Sequence, residues 1–314
     1  ATLRQRAVVA ETLGIKSGRD LRWVTLAVLV TVLVAEVCGF LLLCWADWGS
    51  AAPGHVVWRS LFHAVSAFCN AGFALHDQNL VPDAGRVSIN LVICGLIIVG
   101  GLGFPVIFDV FSRLRSREEF WERLHLQTKM MLIGTAALLV FGAASFWALE
   151  WEDAIAREPL ATKLLMGVFH STTCRTAGFN TVDYGALSSA TLFLAIILMA
   201  IGAGPCSTAG GFKVSTFMTL VVSSWSNFRG WKHVNFFRRT IPESAVERAT
   251  ATALVFAAVA IAALVALLVV ETSGELSARP RWFLEALFEC ISALGTVGLL
   301  SLIHISEPTR RYAI

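Results

Sequence analysis

The stretch "LFHAVSAFCNAGF" (61–73) decides how the chain folds. It is an amphipathic run of about three turns that stops at small residues, a glycine and a bulky apolar residue. The pattern returns in "VFHSTTCRTAGFN" (168–180) and "LFECISALGTVGL" (287–299). Each copy lies beside an apolar segment long enough to cross a membrane, yet each is itself too short to cross.

Composition sets the frame. Of 314 residues, 56% are hydrophobic and 15% charged, with mean hydropathy +0.69. A soluble domain carries about 25% charged residues. The apolar residues are gathered into long runs, so the class is an all-α polytopic membrane protein. The net charge of +3 says less than the placement of the charges. The N-terminus "ATLRQRAVVAETLGIKSGRDLRW" is polar and basic, unlike a signal peptide, and begins without Met, as a fragment would. Seven cysteines (38, 44, 69, 94, 174, 206, 290) lie in or beside apolar segments without metal spacing and read as small buried side chains.

A bilayer-crossing helix needs about 20 mostly apolar residues. Trp23–Trp45, Val87–Phe111, Met130–Leu149 and Thr250–Val270 fit; Leu187–Gly202 and Val214–Trp225 are shorter. Lys and Arg cluster in 1–22 (Arg4, Arg6, Lys16, Arg19, Arg22), 112–129 (Arg113, Arg115, Arg117, Arg123, Lys129) and 226–248 (Arg229, Lys232, Arg238, Arg239, Arg248). The opposite connections carry fewer basic residues and more acids, among them Asp47, Asp77, Asp83, Glu150, Glu152 and Asp153. The positive-inside rule predicts that the basic set is cytoplasmic. The chain then leaves by Trp23–Trp45 and returns by Val87–Phe111. Residues 61–73 must enter from outside and come back out, and the same holds for 168–180.

The repeating unit is therefore an outer helix, a re-entrant half-helix and an inner helix, with a period of a little over 100 residues when aligned on Gly72, Gly178 and Gly298. Six positions before each glycine stands a hydroxyl (Ser66, Thr172, Ser292). Such repetition predicts a symmetric assembly. A half-helix that ends inside the membrane leaves carbonyls unpaired, and rings of such carbonyls replace the hydration shell in cation filters. Turning successive carbonyls to one side needs positive φ, which glycine adopts freely. Asn70, Ala71, Gly72 and Phe73, then Thr176, Ala177, Gly178 and Phe179, then Thr296, Val297, Gly298 and Leu299, are the predicted filter strands, holding a cation by backbone carbonyls. For a single copy, a helix-ending glycine in a buried loop is the blander reading; three copies on one side favour the filter.

"GAGPCSTAGGFK" (202–213) interrupts the next inner segment, because Pro205 and its small neighbours prevent a continuous helix. Lys213 repels cations, anchors this loop or snorkels to the interface; the sequence does not separate these readings. Arg175 is predicted to brace the third filter by pairing with an acid, Asp183 being a candidate. His63 and His170 are placed at the starts of half-helices, for packing or capping. Glu36 faces a neighbouring helix, and Glu285 and Glu289 attract cations or favour a helix N-terminus.

The motifs "FHAVSAFCNAGF", "RTAGFNTVDYG", "GAGPCSTAGGFK" and "ALGTVGL" resemble, in content and order, those of the Trk/Ktr/HKT superfamily of potassium transporters. They are similar to the second filter, the third filter, the loop breaking the third inner helix, and the fourth filter of its bacterial membrane subunit. The resemblance implies four repeats around a pseudo-fourfold pore, of which 23–111, 130–225 (with the intramembrane loop at 202–213) and the partial 250–300 represent three. The first repeat, and the last inner helix with its arginine, have no counterpart here. It also implies that Gly202, Ala203, Gly204, Pro205, Cys206, Ser207, Thr208, Ala209, Gly210, Gly211 and Lys213 form a gate beneath the filter. The implied partners are membrane lipid, a second copy in a homodimer, and a cytosolic nucleotide-binding regulatory ring meeting the loops 112–129 and 226–249. No nucleic-acid partner and no bound cofactor are expected; potassium is the substrate. The final "SLIHISEPTRRYAI" (301–314) does not continue the pattern and reads as foreign.

The predicted function is thus gated potassium uptake across the cytoplasmic membrane. A secondary carrier with broken helices would suit "GAGPCSTAGG" alone, but inverted repeats enter from both sides. A membrane enzyme would need converging nucleophile, base or metal groups, and His125 and His233 have no partners at useful spacing. No Walker A or strand-linked G-x-G-x-x-G appears, so nucleotide sensitivity must reside in another chain.

Overall fold

The computed structural model describes residues 21–114, 120–231, 233–237, 239–270 and 280–301, excepting the side chains of 21–24. The basic segment 1–20, Arg115, Arg117, Lys232, Arg238, Arg279 and the tail 302–314 lie outside the described residues. The architecture is helical, as the sequence predicts. In order run α1 (Leu21–Asp47), α2 (Pro53–Phe68), α3 (Val87–Leu102), α4 (Phe104–Arg113), the single turn α5 (Phe120–Arg123), α6 (Leu126–Glu150), α7 (Leu160–Thr173), α8 (Ser189–Ala200) and α9 (Val214–Phe228). A small hairpin follows, β1 (Asn235–Phe236) antiparallel to β2 (Arg239–Thr240), then α10 (Glu243–Val270) and α11 (Trp282–Leu294). Helices α9 and α10 thus reach into 226–249 from both ends.

Length separates two kinds of helix. α1, α6 and α10 are apolar and have 27, 25 and 28 residues. At 1.5 Å per residue each spans about 40 Å, enough to cross a bilayer. α2, α7 and α11 have 16, 14 and 13 residues, about 20–24 Å, and fall short. Pro53 starts α2 where its missing N–H costs nothing, and α7 follows Pro159. Small residues allow close helix packing: Gly39 of α1 lies under Leu96 of α3, and Gly134 of α6 lies against Val214 and Met218 of α9.

One predicted span is corrected. Val87–Phe111 is not continuous: α3 and α4 meet at Gly103 with a 98° bend. Gly103 has φ +86, and a Cβ there would strike the Pro205 carbonyl oxygen. The break therefore exists because another segment occupies the helix path, which hydropathy cannot reveal.

The short helices turn back at one end. Asp47 closes α1 and is 2% exposed; it accepts from Arg86 Nη1 (2.7 Å), just before α3, and from Arg59 Nε (2.8 Å) of α2. The end of one long helix is thus fastened to the start of the next inner helix, with the half-helix between them. Glu150, closing α6, does the same for α8: its Oε1 accepts from Ser188 N (3.0 Å) and from the Thr191 hydroxyl. At α11, Arg281 Nη2 donates to the Leu187 carbonyl (2.5 Å). Sequence reading took Asp47 and Glu150 only as loop acids.

Glu150 is fully buried. Glu150→Ala leaves the Ser188 N–H and the Thr191 hydroxyl without this acceptor, at about 1–3 kcal/mol for each orphaned group. We expect a clear fall in the thermal midpoint of the detergent-solubilised protein, with Glu150→Gln intermediate. A midpoint matching wild type in both variants would rule out Glu150 as the fastening between α6 and α8.

Candidate functional site

The three predicted strands share one backbone signature. Asn70, Thr176 and Thr296 have φ +50, +67 and +54; Gly72, Gly178 and Gly298 have φ +74, +80 and +83. Positive φ thus alternates with an ordinary residue between. An extended strand points successive carbonyls to opposite sides, and reversing φ at every second residue removes that alternation. Thr is β-branched, so Thr176 and Thr296 stand in a region such residues rarely occupy.

The strands meet. A Cβ on Gly72 would lie 2.6 Å from the Ala177 oxygen and 2.7 Å from Gly178 Cα. One on Gly178 would strike the Val297 oxygen and lie 3.1 Å from Gly72 Cα; one on Gly298 would lie 3.9 Å from Gly178 Cα. Gly72 and Gly178 thus approach each other closely, leaving no room for a Cβ on either. The carbonyls facing the neighbouring glycine belong to the residue before the glycine, Ala177 and Val297. Three other carbonyls are held from the protein side: Asn79 Nδ2 donates to Gly72 O (3.2 Å), and hydroxyls of Ser66 (2.8 Å) and Ser292 (2.7 Å) donate to Phe73 O and Leu299 O.

The middle copy departs from the alignment. Thr173, not Thr172, donates to Phe179 O, while Thr172 bonds Val168 O (2.8 Å) on its own helix. The reason lies in the turn. Ala71 N and Val297 N reach back five residues, to Ser66 O (2.9 Å) and Ser292 O (2.8 Å), whereas Ala177 N reaches back four, to Thr173 O (3.0 Å). The hydroxyl that supports the strand shifts by one position with it.

Each strand also belongs to a neighbour's core. Ala177 and Phe179 pack with Ala64, Phe68 and Ile93 of the preceding unit; Val297 and Leu299 pack with Tyr184 and Leu192. Phe73, in the corresponding place, is 66% exposed.

The loop 202–213 lies against these strands. Its neck is closed by Gly202 N to Phe212 O (2.9 Å) and Phe212 N to Ala200 O (3.2 Å). Gly210 N donates to Thr176 Oγ1 (3.2 Å), and Thr208 Oγ1 to Phe68 O (2.9 Å) at the end of α2. Three backbone bonds join it to the α3–α4 break: Gly204 N to Gly101 O (2.8 Å), Thr208 N to Gly100 O (3.3 Å) and Phe104 N to Cys206 O (3.2 Å). Of the readings open for Lys213, anchoring is the geometry observed: Nζ donates to Ala209 O (2.6 Å) and Gly210 O (3.2 Å).

Arg175 is 5% exposed. Its Nη2 lies 3.4 Å from both Thr135 Oγ1 and Gly202 O, so its hydrogen bonds reach toward the loop neck. The Asp183 carboxylate instead accepts Gly185 N (2.9 Å) at the start of a 3₁₀ turn. His63 and His170 stand well inside α2 and α7, not at their starts. His170 stacks on Phe146 (4.5 Å) and its Nδ1 meets Tyr184 Oη (3.0 Å), a packing role. Glu289 sits mid-helix and accepts Ser301 N (2.7 Å). Glu36 meets Cys69 Sγ at 3.8 Å, across from the end of α2. Among the described residues no cluster of His, Cys, Asp and Glu could hold a metal ion.

The hydroxyl assignment is testable. Thr173→Val should cost about 1 kcal/mol of stability, the worth of one buried hydrogen bond, and Thr172→Val clearly less. Equal effects in thermal melts would remove the distinction.

Comparison with known proteins places this geometry. The TrkH family model, described as cation transport protein, matches residues 1–311. The chain is 37% identical over 311 residues to Ktr system potassium uptake protein B of Vibrio alginolyticus, covering 98% of this chain and 66% of that one. It is 34% identical over 299 residues to the protein of the same name from Bacillus subtilis (strain 168), covering 95% and 63%. The chain therefore spans about two thirds of the length of these relatives. The crystal structure of the potassium transporter TrkH from Vibrio parahaemolyticus superposes with TM-score 0.66 at 16% identity, over 96% of this chain and 68% of that one, a likeness of fold. The chain belongs to the TrkH family of cation transport proteins.

Proposed function

We propose that the whole protein admits potassium across the cytoplasmic membrane through a gated pore, down the electrochemical gradient. The observation that carries this is the convergence of three strands with paired positive φ, whose Ala177 and Val297 carbonyls face the neighbouring glycines. Backbone carbonyls gathered at one axis are what a dehydrated cation requires. Strained Thr176 and Thr296 support the reading, since strain of this kind persists where function over-determines it. In the ring we propose, Asn70–Phe73, Thr176–Phe179 and Thr296–Leu299 are three strands of the filter, and a fourth copy holds them apart to ion width. A single glycine per strand gives fewer coordination layers than the longer TVGYG filter, and hence looser selectivity.

The loop 202–213 is the gate in this reading. It caps the filter threonine Thr176 through one hydrogen bond and meets α2 and the α3–α4 break through others, so its release breaks hydrogen bonds without unfolding a helix. Arg175 braces the filter through the loop neck. The basic connections face the cytoplasm by the positive-inside rule, where a nucleotide-binding ring would meet them; the membrane subunit pairs as a homodimer. Half-helices fastened at one end favour a pore over a carrier with inverted repeats.

Two measurements test this in a full-length form expressed in a strain lacking potassium uptake. Gly72→Ser with Gly178→Ser should abolish growth at limiting potassium while the protein still reaches the membrane; unchanged growth would overturn the filter. Thr208→Val removes the bond to Phe68 O and should raise unstimulated rubidium flux in proteoliposomes about fivefold, as expected for a hydrogen bond of about 1 kcal/mol. Unchanged flux would count against the loop as gate.

A further inference from the structure

A groove of about 400 Å³ opens between three helices away from the filter. The first turn of α6 (Leu126, Met130) and the start of α10 (Ala245, Ala249) form its walls, and the first turns of α9 form its floor. Gln127, Ile241, Pro242 and Thr252 complete the lining. Arg248 stands on its rim, exposed, and takes part in none of the described salt bridges.

We propose that this groove binds an anionic phospholipid, with the phosphate at Arg248 and an acyl chain along the apolar wall. Three observations support this occupant. The walls come from outer helices of two adjacent repeats, α6 and α10, which are apolar and membrane-length. The groove is therefore a crevice that opens toward lipid.

The one charged side chain of the lining is Arg248, six residues into α10. Of the hydroxyls, Thr219 and Thr252 donate to Ser215 O and Arg248 O of their own helices (both 2.8 Å), so these two ask little of a bound chain. An arginine outside the described salt bridges, beside a slot walled by Leu126, Met130, Ala245 and Ala249, matches a molecule with an anionic head and a hydrocarbon tail, and basic pockets between helices at the cytoplasmic leaflet take such lipids.

The third observation is position. The floor, Ser215 to Thr219, begins two residues after Lys213, the anchor of the loop. Just beyond Thr252, Phe256 of α10 packs on Phe212 of the loop neck (6.1 Å). A lipid seated here fixes the spacing of α9 and α10 directly below that neck. The inference rests on the cytoplasmic placement of this end and deepens the proposed gating by naming a ligand class that bears on it.

The test reads lipid, not ion flux, so it is independent of whether the filter reading holds. The full-length protein is reconstituted in nanodiscs of phosphatidylcholine with a minority of phosphatidylglycerol, and retained lipid is counted by native mass spectrometry after mild delipidation. Wild type should retain phosphatidylglycerol in preference to phosphatidylcholine. Arg248→Gln should lower that retention about fivefold, the loss expected for one basic residue at an anionic surface. Ala249→Trp, which fills the slot but keeps the charge, should lower it as well. Retention equal to wild type in both variants overturns the site. Loss in Arg248→Gln alone overturns it too, since binding would then be surface charge without a slot. A photo-crosslinker at position 245 that captures a second protein chain and no lipid assigns the groove to a protein interface and overturns the proposal.

Discussion

A peptide group inside a membrane has no water to bond, so every break in a helix must find its partners within the protein. The structure is organised around that constraint. Three half-helices of 13–16 residues stop short of crossing, and each exposes carbonyls where it stops. Hydroxyls on Ser66, Thr173 and Ser292 take the carbonyl after each glycine, and Asn79 takes that of Gly72. The carbonyls of Ala177 and Val297, each before a glycine, face the neighbouring glycine instead.

The same constraint joins two breaks that look separate along the chain. The loop at 202–213 and the bend at Gly103 satisfy each other: Gly204 and Thr208 donate to carbonyls freed by the end of α3, and Phe104 donates to Cys206. Neither break is tenable alone. Lys213 and Arg175 complete the set by donating to carbonyls of Ala209, Gly210 and Gly202. Both are cations bonded to carbonyl dipoles, which holds this backbone in place.

Cross-repeat packing makes the units cooperative. Phe179 lies in the core of the unit before its own, and so do Val297 and Leu299. A shift in one strand is felt in its neighbour's core, because close-packed interiors transmit displacement. Buried Asp47 and Glu150 fasten the ends of α1 and α6 to the segments that start α3 and α8.

The sequence by itself determined the helical membrane class, the repeat and the positions of the strands. Hydropathy, periodicity and the Asn70–Gly72 pattern are local or recur, and glycine at a turn has few substitutes. It did not determine the break of Val87–Phe111: Gly100, Gly101, Gly103 and Pro105 lie inside a mostly apolar run that reads as one span, and the loop that bonds the bend is a hundred residues away. It did not tell which hydroxyl supports the strand of the middle copy, since alignment on Gly178 cannot see a turn one residue shorter. Nor did it find the fastening role of Asp47 and Glu150, or the true reach of Arg175. Those depend on which ends and which carbonyls the fold brings within 3 Å or so, a distance that only the tertiary structure sets.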